Sequence, residues 1–240
     1  MIAMNYNWIT GAGWKPVILF VILWSSYPLK ADSSDNRFIV QAKTVEKVIR
    51  HCNVIIRYPV LSTPKNTEKQ YPKINEINKF LKRNFLSLKK YRDKTLCDPP
   101  PTKNVKFNFT LEVNYEVKLN DGKIFSVYYA GLDYVYGSAY PNNTFKAFNI
   151  DVYTSKLISY KDLFKDKNYT KKINDLIAKN LLKNGIIESV SEFEHDKKEV
   201  YDFYLTKDAL NIINIYDFHA VQAVEAKIPF SELGDIFKIQ

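Results

Sequence analysis

The sequence predicts an α+β fold, mainly antiparallel sheet with two principal helices, arranged as two joined subdomains. Three observations carry that prediction. A strict apolar/polar alternation runs from Phe107 to Leu119 and ends in a turn signal. Two segments, near Ile74–Leu88 and Tyr169–Lys183, place apolar residues at helical spacing. Strand-like runs outnumber the helical ones and adjoin through short turn sequences.

Arg37–Lys43 and the β-branched run Asn53–Pro59 read as the first strands, the second ended by its proline. Leu61–Tyr71 is a polar loop, and Pro72 opens a helix. Its apolar stripe is Ile74, Ile77, Leu81, Phe85 and Leu88, with Phe80 and Tyr91 flanking. Pro99-Pro100-Pro101 is a stiff break and the expected boundary between an N-terminal subdomain, 32–102, and a C-terminal one, 103–240.

In the second half, Phe107, Phe109, Leu111, Val113, Tyr115, Val117 and Leu119 share one face of a half-buried strand. Asn120-Asp121-Gly122 is a hairpin turn, because glycine accepts a positive φ without a steric cost. The return strand is Lys123–Tyr129, followed by a loop and a strand over Phe145–Tyr153. Tyr169–Lys183 buries Ile173, Leu176, Ile177 and Leu181, and Gly185 stops it. Asp202–Thr206 and Ala209–Tyr216 form a hairpin across Lys207-Asp208; Glu225–Pro229 is the last strand, and Ser231 starts a short helical ending.

Residues 1–31 read as a secretory signal peptide. They contain no acid, and Lys15 precedes the apolar run Val17–Trp24. An apolar stretch of about 7–15 residues behind a positive charge, with a small residue at the cut, is the export pattern. Cleavage is expected after Ala31, with Ser26 the second choice. Pro16 and Pro28 bracket far fewer residues than the about 20 that span a bilayer, so no stable membrane insertion is expected after cleavage. No cysteine lies near the cut, which argues against a lipoprotein. Localisation is expected to be periplasmic or secreted.

The formal net charge is +9; removing Lys15 and Lys30 with the leader leaves +7. Such a surface favours polyanions. The lysines are nevertheless spread along the chain without an arginine cluster, the pattern of a solvated face, and no nucleic-acid partner is expected. Cys52 and Cys97 are the only cysteines, and an isolated pair in an oxidising compartment is expected to be bridged. The loop so closed would add up to about 4 kcal/mol by the chain-entropy argument.

Little in the sequence points to catalysis. His51, His195 and His219 show no metal-ligand spacing, and neither cysteine sits in a CxxC. Glu192–Asp196 gathers carboxylates around His195, as a polar connection also would. There is no GxSxG, no P-loop and no dinucleotide fingerprint, and seven glycines leave little for phosphate-cradling loops. No catalytic residue, cofactor or metal is expected. The most unusual segment is Tyr128–Tyr140, which holds five tyrosines. A tyrosine joins a large apolar face to a polar tip, which suits a glycan or protein contact, and it suits a β core equally. Tyr134, Tyr136 and Tyr140, on the expected loop between Tyr129 and Tyr140, are the candidate ligand-binding residues.

Tyr58-Pro59-Val60-Leu61 with Ile74–Asn78 resembles a "YPvl … IN..I" module. Gly137–Pro141, Phe148–Lys156 and Ile158–Phe164 resemble "GAHP … yniDl.TGk.isl.dLF", and Phe203–Leu210 through Ile228–Leu233 resembles that module's ending. In order and spacing these are similar to the paired extracytoplasmic domains of unknown function, DUF4163 plus DUF3298, found in the lysozyme-sensing anti-sigma factor RsiV and the peptidoglycan deacetylase PdaC. The likeness covers nearly all of the chain after the leader. Tyr140 stands where the family has His, and Ser155 where it has Gly, which implies a looser turn. The resemblance implies two joined α+β subdomains and a bare envelope module. It also implies a non-catalytic protein that binds a cell-wall-linked glycan or an envelope or host protein. A lysozyme-binding inhibitor or sensor is the alternative, although two basic proteins repel at long range unless a local acidic patch such as Asp133 or Glu192–Asp196 intervenes. An envelope hydrolase with a convergent acid/base pair is the second alternative.

Overall fold

A computed structural model describes residues 38–64, 68–88, 94–102, 104–165, 169–193, 197–216 and 224–238. The leader, Tyr91, His195 and His219 lie outside them. Among the described residues eight strands and four helices form the α+β fold that the sequence predicts. The first sheet has the order β1(Ile39–Ile49), β2(Cys52–Ser62), β3(Phe109–Asn120), β4(Ile124–Val135), β5(Asn142–Asp151). The second holds β6(Asp202–Leu205), β7(Ala209–Ile213) and β8(Ala226–Pro229). Every pair is antiparallel except β2 with β3, which run parallel.

That parallel pair needs a crossover, and α1(Ile74–Ser87) supplies it. Ile77, Leu81 and Phe85 of α1 are buried, as the helical spacing requires, among Val54, Ile56, Val113, Val127 and Phe148 of the sheet. Asn78 of α1 clamps β2 through both polar groups of Leu61: the Leu61 amide donates to Oδ1 and the Asn78 amide donates to the carbonyl, each at 2.8 Å. Pro99–Pro101 lies on this crossover, so the expected boundary at 102/103 falls within the first sheet and its hydrophobic cluster. The second cluster begins at Tyr160, and α2(Tyr169–Lys183) packs Ile173, Ile177 and Leu181 into it with strands β6–β8. Gly185, at φ 66°, closes α2: its amide reaches the Leu182 carbonyl and that of Ile186 reaches Leu181. The short helices α3(Val190–Phe193) and α4(Phe230–Leu233) complete the set.

Strand limits differ from the periodicity reading: β2 runs past Pro59, which pairs with Ala42, to Ser62, and β4 runs past Tyr129 to Val135. For β1 and β3 the departure has a physical reason. The β1 strand reaches Ile49, six residues past the expected end, because an edge strand exposed over most of its length has no burial to impose alternation. In β3 the register shifts between Val117 and Leu119, a bulge at Lys118. Leu119 therefore leaves the face it would share with Val117 and packs against the second cluster, beside Ile124.

Ser155 holds φ 56°, the left-handed region where glycine is at ease, yet its turn is firmly bonded. Asp151 Oδ1 accepts the amides of Tyr153 and Thr154 at 3.0 and 2.8 Å, and Ser155 Oγ donates to Glu76 Oε2 at 2.8 Å. The looser turn expected from the missing glycine is thus corrected: side-chain bonds hold it.

Candidate functional site

The Tyr-rich segment is largely strand. The β4 strand pairs with β3 as far as Val135 and with β5 as far as Asp133, so the expected loop from Tyr129 to Tyr140 shrinks to residues 136–141. Gly131, inside the expected loop, sits in the sheet interior with Val113 Cγ2 and the Thr144 carbonyl against it. Tyr129 fills the first core against Phe85 and Phe148. For Tyr129 the core-packing reading holds, whereas Tyr128 is half-buried against Phe145 and Tyr204.

The three candidate residues lie at the far end of the same hairpin. Tyr134 is half-buried in β4 opposite Thr110, and its hydroxyl donates to the Ser138 carbonyl at 3.3 Å. The Tyr136 amide donates to the Asn108 carbonyl at 2.7 Å, and its hydroxyl accepts from Thr102 Oγ1 at 3.5 Å. Tyr140 is 70% exposed, more than any other large apolar side chain among the described residues. No ring contact joins the three among the described residues. Tyr136 and Tyr140 lie on a short connection that backbone bonds pin at Tyr136 and Ser138, and Tyr134 lies in the strand before it; they form no aromatic box.

Cross-strand register extends this rim onto an open sheet face. Tyr134 stands opposite Thr110, and Leu132, 36% exposed, stands opposite Glu112. Arg57 Nη1 lies 2.6 Å from Glu112 Oε1 and 2.8 Å from Asn114 Oδ1. This exposed ion pair adds little stability. It does hold a row of polar groups next to exposed apolar surface.

Sequence reading missed a second cluster. The bulge at Lys118 lays its ammonium 4.8 Å from the Tyr204 ring centre and 5.3 Å from that of Tyr128. Glu116 pairs with Lys118 at 2.7 Å, and the Tyr204 hydroxyl donates to Glu225 Oε2 at 2.8 Å. Burial, and then Glu225, pushes the Tyr204 hydroxyl far above the usual phenol range, and burial does the same to Tyr128. Both phenols stay neutral at any physiological pH. The cluster therefore ties Lys118 and Tyr128 of the first sheet to Tyr204 of the second. The sequence around Lys118, between Val117 and Leu119, carries no signal of this cluster.

The acidic candidates disperse. Asp133 is buried, 5% exposed, so it forms no surface patch; β4 turns it toward the interior. Glu192 accepts the amides of Ser189 and Glu188 and the Ser189 hydroxyl, a helix-start bond set that uses its carboxylate locally. Glu194, His195 and Asp196 lie outside the described residues. His51 Nδ1 sits 3.2 Å from the Lys106 carbonyl. Among the described residues no three His, Cys, Asp or Glu side chains converge. Cys52 and Cys97 are joined in a disulfide, buried between the start of β2 and the turn after α1. No helix among the described residues is long and apolar enough to cross a membrane.

No family model and no curated protein matches the chain. Two solved structures share its fold. One is a DUF3298 family member from Bacteroides fragilis, with a TM-score of 0.58 and 14% identity, covering 86% of this chain and 96% of that one. The other is a DUF3298 family protein from Pseudomonas aeruginosa, also with a TM-score of 0.58 and 14% identity, covering 85% of this chain and 96% of its own.

Proposed function

We propose that the protein is an exported, non-catalytic binding module of the cell envelope, and that it holds a cell-wall-linked glycan at the Tyr134–Tyr140 end of the first sheet. The observation that carries this reading is the exposure of Tyr140 on the β4–β5 connection, whose first residues are pinned by the Tyr136 and Ser138 amides, at one end of a sheet whose open face carries Leu132, Arg57 and Asn114. An aromatic ring has few rotatable bonds to freeze on binding, and a fork of polar groups on the same sheet can satisfy sugar hydroxyls. The DUF3298 fold and the buried disulfide are compatible with work outside the cytoplasm.

Purified peptidoglycan sacculi are the direct probe. Co-sedimentation of the exported protein with sacculi, competed by soluble glycan fragments, supports the reading. A lysozyme offered in the same assay tests the alternative: a complex with lysozyme and none with sacculi would replace the glycan by a protein ligand.

A further inference from the structure

We infer that β1 is a docking edge for a second copy of this chain, and that two copies join their sheets antiparallel through β1 about a two-fold axis centred on Thr44. The inference is independent of the glycan site.

The β1 strand is an edge. Its inner side pairs with β2 over all eleven residues, from Ile39↔Ser62 to Ile49↔Cys52. No strand among the described residues pairs with its outer side. The strand is long for an edge, and it carries Ile39 and Val48 at 53% and 56% exposure. Such an edge is a template for another strand unless something covers it.

The sequence of β1 is complementary to itself. A two-fold axis perpendicular to a sheet keeps every side chain on its own face, so it must pass through a residue that meets its own copy. Centred on Thr44, the pairing puts Ile39 opposite Ile49 of the second copy, Val40 opposite Val48, Gln41 opposite Lys47, Ala42 opposite Glu46 and Lys43 opposite Val45. Both strongly exposed apolar residues gain an apolar neighbour, and no like charges face each other. Neighbouring registers fail on charge. Centring on Val45 sets Lys43 against Lys47, and centring on Lys43 or on Glu46 sets that charge against itself. Centring on Ala42 leaves residues 46–49 unpaired. The charges that would repel a foreign strand thus select one self-pairing, in which all eleven residues take part.

The test places first a thiol and then a charge at the axis. Directly opposite residues lie about 4.5–5.5 Å apart at Cα, within the about 4.4–6.8 Å that a disulfide spans. In the full exported protein, Thr44→Cys is expected to form a disulfide-linked dimer under mild oxidation, with peptide mapping locating the bridge at position 44 of both copies. Thr110→Cys, on a central strand, should stay uncrosslinked. Thr44 is exposed, so Thr44→Lys keeps the fold and sets two ammonium groups face to face. Sedimentation equilibrium should then show the monomer–dimer midpoint moved to at least tenfold higher concentration, with the unfolding midpoint unchanged. A parent protein that sediments as a monomer throughout, with no Thr44→Cys crosslink, would overturn the inference. So would a dimer indifferent to Thr44→Lys, because its interface would lie elsewhere.

Discussion

The side-chain amide of Asn149, in β5, donates to the main-chain carbonyl of Phe203, in β6, at 2.8 Å. Its Oδ1 accepts from Ser126 Oγ at 2.7 Å and from the Leu205 amide at 3.1 Å. Asn149 and Ser126 are both buried. One asparagine thus replaces a backbone ladder where the two sheets meet. Asn149→Ala leaves a carbonyl unpaired and weakens an amide in a dry interface, so it is expected to cost about 2–3 kcal/mol. Denaturant unfolding measures this. A loss within about 0.5 kcal/mol, what an ordinary surface change costs, would mean water replaces the bonds.

Reduction of Cys52–Cys97 should destabilise the first sheet selectively. The bridge spans 45 residues and ties β2 to the turn after α1. The expected loss is up to about 4 kcal/mol, read as the shift in unfolding between oxidised protein and the Cys52→Ser/Cys97→Ser pair. Thiol titration of the denatured, unreduced protein should find no free cysteine.

Alkaline pH should unfold the protein cooperatively. Burial raises the hydroxyls of Tyr128, Tyr129, Tyr160 and Tyr204 far above their ordinary 10.0. A pKa raised on folding adds stability that is complete below the unfolded value and is lost as pH climbs past it. The decline therefore begins near pH 10 and steepens above it. Phenolate absorbance from these four rings should appear together with loss of far-ultraviolet circular dichroism. Their reversible ionisation in a still-folded protein would refute the burial.

Mass spectrometry of the native protein should give an N-terminus near Asp32. The intact Met1 form recovered with membranes would instead make residues 17–24 part of an anchor.

Local chemistry was readable where one face of an element meets one environment. The alternation from Phe109 to Val117, the Ile77/Leu81/Phe85 stripe and the limits of α2 all follow from single-element burial, and the cysteine pair followed from its isolation. What depends on partners far along the chain was hidden. The parallel β2–β3 pairing, the bulge at Lys118 and the strand status of Tyr134 are set by strands that the local pattern does not identify. Gly131 and Asp133 fell in the expected loop because sequence alone does not show which strand will cover them. The candidate site was half legible: Tyr140 is as exposed as expected, whereas Tyr134 and Tyr136 are partly structural.

Tyr129→Ala and Tyr140→Ala should separate packing from contact. Tyr129 is 2% exposed among core aromatics, and its loss should cost about 3–5 kcal/mol. Tyr140→Ala should leave the unfolding midpoint in place, while Tyr134→Ala and Tyr136→Ala, which lose half-buried rings, should each cost about 1 kcal/mol.

Sedimentation with peptidoglycan sacculi, run on parent and Tyr140→Ala protein of equal thermal midpoint, bears most directly on the envelope-binding role. A ring at the centre of the contact contributes about 2 kcal/mol, so the variant should bind roughly thirtyfold more weakly. Parent protein that stays in the supernatant, or parent and variant that pellet alike, would remove Tyr140 and its sheet end from the binding site.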